Sequence, residues 1–454
     1  MDDPQYGSSD RSTSTPSSSK VEPKAGPEIR LVAEIPNSTI TNYQNTESEN
    51  SHDTKSGPDS FFTAVQWTAD GSSLVAISSD KSIATFVIPD DLLQASDPRP
   101  LVPQSLTKLP EQPRVVAPAP YFSLAEPATQ TFLVACREHP LQLYHAFPAE
   151  GQSRPLCGYK LIKQETEAYI TPSALVWDYP GTHFVCGSAN RLDLFDVSRQ
   201  GSDGPILTVP TIPSRRHASK GGGVGMKGTV SSLATAPADA NGSSIIAAGT
   251  WTRWVGLYDL YRENKTIANW SIAHAANEVS DEAIGGQGIA QTLWSPCGRY
   301  LVINERNANG LLLYDIRVTG QLLSILKGRG AGTQQRLHCD VFPSAEGGFE
   351  VWSGTQDGTV VVWDGVGLHS EYGMEPSWHW KAHQSPIGST VVHSSGSVAA
   401  TCSGGWEHPK TFESEDADEE HAVPRSQCSV LDESTLKIWS MTSPTQAEEN
   451  TNST

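Results

Sequence analysis

A short unit of alternating apolar and polar positions recurs along the chain from Phe61 onward. In its first copy, the apolar run at 64–67 leads through Asp70-Gly71 to a second run at 74–77 and a third at 83–88. Both residues of an Asp-Gly pair tolerate positive φ, which makes the pair a strong signal for a tight hairpin. The pattern therefore predicts three consecutive antiparallel strands in this unit.

Six more copies follow, and each ends on a strand that closes with an aromatic side chain. They begin at Tyr121-Phe122 and at residues 174–177, 230–233, 290–294, 337–342 and 388–392. The seven closing aromatics are Phe86, Tyr144, Phe195, Tyr258, Tyr314, Trp363 and Trp439. One such unit cannot bury its own apolar faces, so several must pack side by side around an axis. The repeats predict an all-β protein, a seven-bladed WD-repeat β-propeller, in which Trp363-Asp364 keeps the literal Trp-Asp pair.

The propeller domain is expected to span residues 29–440. The isolated apolar run 29–35 (IRLVAEI) lies before the first unit, and we expect it to close the ring as the outer strand of the last blade. Segments rich in Ser, Thr and Pro do not bury enough apolar surface to fold. The remaining predictions are disordered tails at 1–28 and 441–454 and loop insertions at 201–229 and 405–434.

Charge and cysteine content narrow the classes of function. The formal net charge is −19, which argues against a surface that binds nucleic acid everywhere but leaves room for a local basic patch. Nine acidic and two basic residues give 407–433 a net charge of −7. The seven cysteines include no C-x-x-C pair, which favours a reducing compartment without disulfides or a zinc site. No stretch approaches the roughly 18 apolar residues of a membrane helix, so we expect a soluble intracellular protein without membrane contact.

Motifs for catalysis or cofactor binding are not found. The glycine-rich run 221–229 (GGGVGMKGT) lacks the adjacent Gly-Lys-Ser/Thr of a phosphate loop. His379 and His383 have the spacing of a zinc pair on a helix, but they lie between predicted strands, where a structural role for His383 is favoured. No G-x-S-x-G nucleophile elbow is present. We expect no enzyme activity, no cofactor, no metal and no small-molecule substrate.

Loop arginines are the candidate binding residues. Arg137, Arg253 and Arg306 lie in matching turns of different units, and Gln335-Arg336 opens the sixth unit. Loops on one face of a propeller converge, and the planar guanidinium suits phosphates, base edges and aromatic stacking. We therefore take these five residues as candidates for contact with RNA. The alternative is that the arginines pair with loop carboxylates such as Glu138 and Glu305 and join the blades together.

Four segments carry a more specific resemblance, in chain order and across the blades. They are TAVQWTADGSSLVAISSDKSIATFVIP (63–89), CREHPLQLYHA (136–146), AAGTWTRWVGLYD (247–259) and QQRLHCDVFPS (334–344). Over roughly residues 60–405 the chain resembles the telomerase Cajal body protein family, which includes yeast-type splicing-associated WD-repeat proteins. The Arg-Glu-x-Pro turn at 137–140 and Gln335-Arg336 are its most specific points. The animal proteins have a Trp-Asp pair after that turn, whereas this chain has Tyr144-His145.

The resemblance implies a non-catalytic nuclear scaffold that binds small non-coding RNA. Its expected partners are small nuclear or Cajal-body RNAs and the proteins of telomerase or spliceosomal ribonucleoproteins. The Ser/Thr/Pro/Asn-rich ends are typical of a fungal member, for which a splicing role is open. The alternative function is a protein–protein adaptor that assembles nuclear complexes without touching RNA. A G-protein β-type subunit is disfavoured, because residues 1–60 show no heptads for a coiled-coil partner.

Overall fold

Seven small antiparallel sheets surround a central axis in the computed structural model, which confirms the seven-bladed propeller. The structure describes residues 26–36, 38–39, 60–148, 154–201, 203–212, 225–238, 245–261, 265–278, 284–368, 372–407, 429–431 and 433–442. The first strands of successive blades pack against one another at the axis. None of the helices in these ranges is long and apolar enough to cross a membrane.

Each blade has four strands, which follow one another from the axis outward. Blade 1 has Phe62–Trp67, Ser73–Ser78, Ser82–Val87 and Ser105–Lys108. Blade 2 has Pro113–Pro118, Thr131–Cys136, Leu141–His145 and Cys157–Tyr159. Blade 3 has Ala174–Asp178, His183–Ser188, Arg191–Asp196 and Leu207–Pro210. Blade 4 has Val230–Thr235, Ile246–Thr250, Trp254–Asp259 and Lys265–Ser271.

The remaining blades carry small additions to the same plan. Blade 5 has Ile289–Trp294, Tyr300–Glu305, Leu311–Asp315 and Leu322–Leu326, with Gly373–Met374 added at its edge. Blade 6 has Cys339–Pro343, Phe349–Gly354, Thr359–Val366 and Trp378–Lys381. Blade 7 has Ile387–Val392, Val398–Ser403, Thr435–Thr442 and Glu28–Pro36, with Arg99–Pro100 at its edge. Short helical elements among the described residues include Leu92–Gln94, Pro127–Thr129, Ala273–Glu278 and Ile316–Val318.

The strand Glu28–Pro36 is the outer strand of blade 7. It runs antiparallel to Thr435–Thr442, with Glu28 opposite Thr442 and Pro36 opposite Thr435. Val32, Ala33 and Ile35 are fully buried between blade 7 and blade 1. The beginning of the chain therefore closes the ring by hydrogen bonding to its end.

The prediction for the first strand of blade 2 is wrong. That strand is Pro113–Pro118, and Tyr121-Phe122 lies in the turn that follows it, with the Phe122 N–H bonded to the Ala119 carbonyl. Prolines at both ends made this segment look like a loop. An innermost strand tolerates them, because it pairs on one side only and needs no ladder N–H on the other.

The two predicted insertions contain regular structure at their edges. Leu207–Pro210, inside the predicted insertion 201–229, is the outer strand of blade 3. In the acidic insertion, Trp406–Glu407 pairs with Ser429–Val430. The predicted tails 1–28 and 441–454 are wrong at their inner boundaries, because Glu28, Met441 and Thr442 pair in the sheet of blade 7. The predicted disorder of 1–25, 408–428 and 443–454 falls outside the described residues.

Blade 7 also contains a buried polar network around His383. The His383 Nε2 atom lies 2.7 Å from the Thr401 hydroxyl, which also accepts a 2.9 Å hydrogen bond from Trp439 Nε1. On the other side of the ring, His383 Nδ1 lies 3.1 Å from Glu433 Oε1. Glu433 also accepts a 3.0 Å hydrogen bond from Lys437 Nζ. The network ties the loop before the blade to its second and third strands.

The closing strand gives a test of ring closure. We expect Ile35→Ala to lower the free energy of unfolding by about 2–5 kcal/mol, because it leaves a cavity among side chains that are far away in sequence. The exposed Glu28→Ala on the same strand is the matched control and should change it by less than about 0.5 kcal/mol. Urea unfolding followed by circular dichroism measures both. An Ile35→Ala protein as stable as the control would show that this strand does not hold the ring.

Glu433 gives a pH-dependent test. Burial would raise the pKa of this carboxyl, but hydrogen bonds from His383, Lys437 and the Gln384 N–H outweigh it and lower the pKa below its usual 4.5. A lowered folded-state pKa stabilises the protein above pH 4.5, and this stabilisation is lost as the pH falls below it. The stability difference between the wild type and Glu433→Gln should therefore shrink from about pH 5 to about pH 3. A difference that stays constant over this range would contradict the assignment.

Candidate nucleic-acid interface

The five predicted binding residues all lie at the same end of the propeller. In an antiparallel blade, the turn between the second and third strands and the connection to the next blade lie at the same end. Arg137, Arg253 and Arg306 occupy such turns in blades 2, 4 and 5, and Gln335-Arg336 lies in the connection from blade 5 to blade 6. We call this end the upper face. Its residues nevertheless differ in what they contact.

Arg253 forms an ion pair with a buried carboxylate of the neighbouring blade. Its Nε and Nη2 atoms donate to the two carboxylate oxygens of Glu305, both at 2.8 Å, and this joins blade 4 to blade 5. The Glu305 side chain is only 2% exposed and also accepts a hydrogen bond from the Gly288 N–H. Burial raises the pKa of Glu305, against the effect of Arg253. For Arg253, the alternative interpretation from sequence, pairing with a loop carboxylate, is the one observed.

Gln335 is held by the protein as well. Its Nε2 donates a 2.8 Å hydrogen bond to the Gly404 carbonyl, which follows the second strand of blade 7. Gly404 has a φ of +140° and lies against Phe61 so closely that a Cβ would meet the Phe61 Cβ at 2.4 Å. Gln335 thus fastens the loop that carries Arg336 to the neighbouring blade.

Arg137 lies at the surface of the same face. Its side chain is 68% exposed, and Nε is 3.3 Å from the carboxylate of Glu138, which is more exposed still. An exposed ion pair of this kind contributes at most about 1 kcal/mol. The Arg137 guanidinium can therefore exchange this partner for a ligand at little cost.

Arg306 and Arg336 gather around Trp251. The guanidinium carbon of Arg306 lies 4.1 Å from the centre of the Trp251 ring, and that of Arg336 lies 6.0 Å away. The ring is fixed by a close backbone approach at Gly288, where a Cβ would meet the Trp251 carbonyl oxygen at 2.7 Å. Gly288 also has a φ of +110°, which favours glycine.

A third arginine, Arg114, is close enough for its charge to act on both Arg306 and Arg336. It stands at the bulge between Pro113 and Val115, at the start of the innermost strand of blade 2. We call Arg114, Arg306 and Arg336, together with Trp251, the arginine mouth. Among the described residues, no carboxylate forms an ion pair with any of the three arginines, whereas Arg191, Arg253, Arg299 and Arg317 each have one.

Like charges therefore crowd together at the arginine mouth. Burial, and then the charges of Arg336 and Arg114, lower the pKa of Arg306 to about 10. Burial and Arg114 also lower the pKa of Arg336. A group with a pKa near 10 is still charged at neutral pH, so the mouth presents an uncompensated positive field.

A cavity of about 370 Å³ lies in the channel behind the mouth. It is formed mainly by the innermost strands, and no Asp or Glu is among the residues that line it. Its polar lining residues are Gln66, Ser173, Ser231, Ser232, Gln291, Arg336 and His338. Burial, and then the nearby Arg336, lower the pKa of His338 to about 4, so this ring is neutral at pH 7.

Arg114, Trp251 and His338 were missed by the sequence reasoning. Arg114 was overlooked because the first strand of blade 2 was placed at Tyr121-Phe122. Trp251 belongs to the same turn as Arg253, but the turn was read for its charge and not for its ring. The signal that could have found all three is their place at the upper ends of strands, next to the channel.

Substitution of the ion-paired Arg253 should affect stability more than substitution of Arg336, which has no carboxylate partner among the described residues. We expect Arg253→Gln to lower the free energy of unfolding by about 3–5 kcal/mol, because Glu305 is left buried without its partner. Arg336→Gln removes one of several like charges and should not lower it by more than about 0.5 kcal/mol. Thermal unfolding compares the two variants, and adding Glu305→Gln to Arg253→Gln should recover part of the loss. Equal destabilisation by both substitutions would contradict the distinction.

Comparison with known proteins gives several distant relatives. Human telomerase Cajal body protein 1 is 26% identical over 390 residues, which cover 84% of this chain and 64% of the human protein. Guanine nucleotide-binding protein negative regulator 1 of Schizosaccharomyces pombe is 23% identical over 322 residues, 69% of this chain and 73% of that protein. Protein SWT21 of Zygosaccharomyces rouxii is 27% identical over 315 residues, 68% of this chain and 67% of that protein.

The matches cover only part of the length of some of these relatives. This chain spans less than two thirds of the length of the bovine and human telomerase Cajal body proteins, 61% and 64%. No family model matches the chain. The similarities nevertheless run over most of this chain in both groups of relatives, and they confirm the resemblance seen in its sequence. The chain is therefore a relative of the telomerase Cajal body proteins and of the SWT21-type fungal WD-repeat proteins.

Proposed function

We propose that this protein is a non-catalytic nuclear scaffold that binds small non-coding RNA of ribonucleoproteins through its upper face. The observation that carries the proposal is the arginine mouth. There, Arg114, Arg306 and Arg336 lie together without a described carboxylate partner, two of them beside Trp251. Arg137 adds an exposed guanidinium on the same face.

This arrangement suits RNA on physical grounds. Guanidinium groups bind phosphates through paired hydrogen bonds, and both they and tryptophan stack on unpaired bases. The rest of the molecule is acidic, with a net charge of −19 for the whole chain. A positive mouth on such a body favours one place of contact over general coating by nucleic acid. Arg253 and Gln335 support this face indirectly by holding its loops.

The proposed location and partners are based on the names of the relatives. Telomerase Cajal body protein 1 carries telomerase and a nuclear body in its name, and it matches most of this chain. We accordingly propose a nuclear location and, as partners, small nuclear or Cajal-body RNAs with telomerase or spliceosomal ribonucleoprotein proteins.

A protein–protein adaptor that does not touch RNA is the second candidate. The Schizosaccharomyces pombe relative is named as a negative regulator of another protein. The paired strands Trp406–Glu407 and Ser429–Val430 lie at the upper face, and the acidic sequence between them would attract basic partner segments. The adaptor and the RNA scaffold differ in whether their partners depend on RNA.

Crosslinking in cells followed by sequencing of the bound RNA tests the proposal. We expect enrichment of small nuclear or nucleolar-type RNA with the wild type and at least a tenfold loss with Arg306→Gln plus Arg336→Gln. In purified form, the same double variant should show a shallower dependence of RNA affinity on salt, because fewer counterions are released.

Arg317→Gln is the matched control. Arg317 is an exposed arginine at the opposite end of blade 5, and its partner Asp315 keeps a second ion pair with Arg299. This variant should bind RNA like the wild type. Background RNA alone, together with protein partners that survive ribonuclease treatment, would reject the RNA scaffold in favour of the adaptor.

A further inference from the structure

We propose that the arginine mouth is a discrete phosphate-binding site, which clamps a single phosphate group between Arg306 and Arg336 at the entrance of the channel. The inference deepens the proposed function, since it assigns the mouth to phosphate and not to a base edge. It has its own test, because a phosphate site can be filled by a small anion without RNA.

An unused hydrogen-bonding atom is the first argument. Arg306 Nε is buried and has no hydrogen-bond partner within the described structure. Buried polar atoms are almost always paired, so an unpaired donor at the entrance of the channel points to an occupant. A guanidinium can only donate, so this occupant carries acceptor oxygens.

The contrast with Arg329 shows that burial alone does not leave an arginine unused. Arg329 is 1% exposed, yet its guanidinium donates to the Ser353 hydroxyl at 2.9 Å and to the carbonyls of Glu305 and Leu337 at 3.2 and 2.8 Å. Neutral protein acceptors thus satisfy Arg329. Among the described residues, neither the guanidinium of Arg306 nor that of Arg336 donates a hydrogen bond to a protein acceptor, although Arg336 lies in the same connection between blades 5 and 6 as Arg329.

The charge balance points to an anion. Arg114, Arg306 and Arg336 repel one another, and the residues that line the cavity behind them include no carboxylate to offset them. Keeping three cations together costs free energy unless a negative ligand compensates them. Of the three arginines, Arg336 also lines this cavity, so the site lies at its entrance.

Phosphate fits this site better than a carboxylate does. A carboxylate is planar and is satisfied by one guanidinium fork, whereas the tetrahedral oxygens of a phosphate accept from several directions at once. The mouth offers donors from different parts of the ring, with Arg114 on blade 2, Arg306 on blade 5 and Arg336 in the connection to blade 6. The Trp251 ring next to them can stack on a base, so the phosphate of a nucleotide matches both chemistries.

Titration calorimetry on the full chain with inorganic pyrophosphate at constant ionic strength is the first experiment. We expect one binding site, and at least a tenfold loss of affinity with Arg336→Gln. Arg336→Lys should recover only part of it, because it restores charge without the fork. Arg317→Gln should bind like the wild type. Thermal unfolding of each variant checks that the fold is intact. Absence of pyrophosphate binding, or equal binding by Arg336→Gln, would overturn the phosphate site.

Oligonucleotides then identify the source of the phosphate and separate this inference from the proposed function. A single-stranded RNA with a 5′-phosphate and the same RNA with a 5′-hydroxyl compete against pyrophosphate. Competition by the first alone assigns the site to a chain end, and equal competition assigns it to internal phosphates. Pyrophosphate binding without competition by either RNA supports the phosphate site but rejects RNA as its ligand. RNA binding that depends on Arg336 without pyrophosphate binding rejects the phosphate site and keeps the RNA scaffold.

Discussion

Ring closure is the constraint on which the structure depends. A single four-stranded blade is too small to be stable, and each blade of this protein buries its faces only against its two neighbours. An open row of seven blades would leave two exposed faces and a free strand edge. Pairing Glu28–Pro36 with Thr435–Thr442 makes the first and last parts of the chain one sheet, so that no blade is terminal. The channel and the converging upper loops exist only because this circle is complete.

The repeating pattern in the sequence predicts the three inner strands of a blade well, because these strands are buried on both sides and carry strong apolar signals. The outermost strands are less visible. Cys157–Tyr159 and Leu207–Pro210 are short and partly exposed, and they pair on one edge only, so their residues differ little from those of loops. Pro113–Pro118 escaped notice for a related reason, since an innermost strand tolerates prolines that would interrupt a central one.

The sequence predicts at which end of the propeller the candidate arginines lie, but it does not predict which residues they contact. The spacing of strands places the candidate arginines in equivalent turns, and those turns lie at one end. Whether an arginine forms an ion pair within the protein depends on carboxylates that are distant in sequence. Arg253 and Glu305 are 52 positions apart and belong to different blades. No local pattern therefore distinguishes Arg253 from Arg306, which has no carboxylate partner among the described residues. Arg114 was missed for a different reason, because the first strand of blade 2 was placed at Tyr121-Phe122 instead of Pro113–Pro118.

The direction of the closing strand determines on which side of the ring the described chain enters and leaves the propeller. Glu28 and Thr442 lie opposite each other at the end of blade 7 away from the upper face, because Thr435–Thr442 starts at that face and runs from it. The described chain is thus entered and left at neighbouring points on the far side from the arginine mouth. A domain, tag or tether fused before or after the propeller starts where it does not obstruct the mouth. The two ends of the described propeller therefore lie on one side of the ring, and the charged entrance lies on the other.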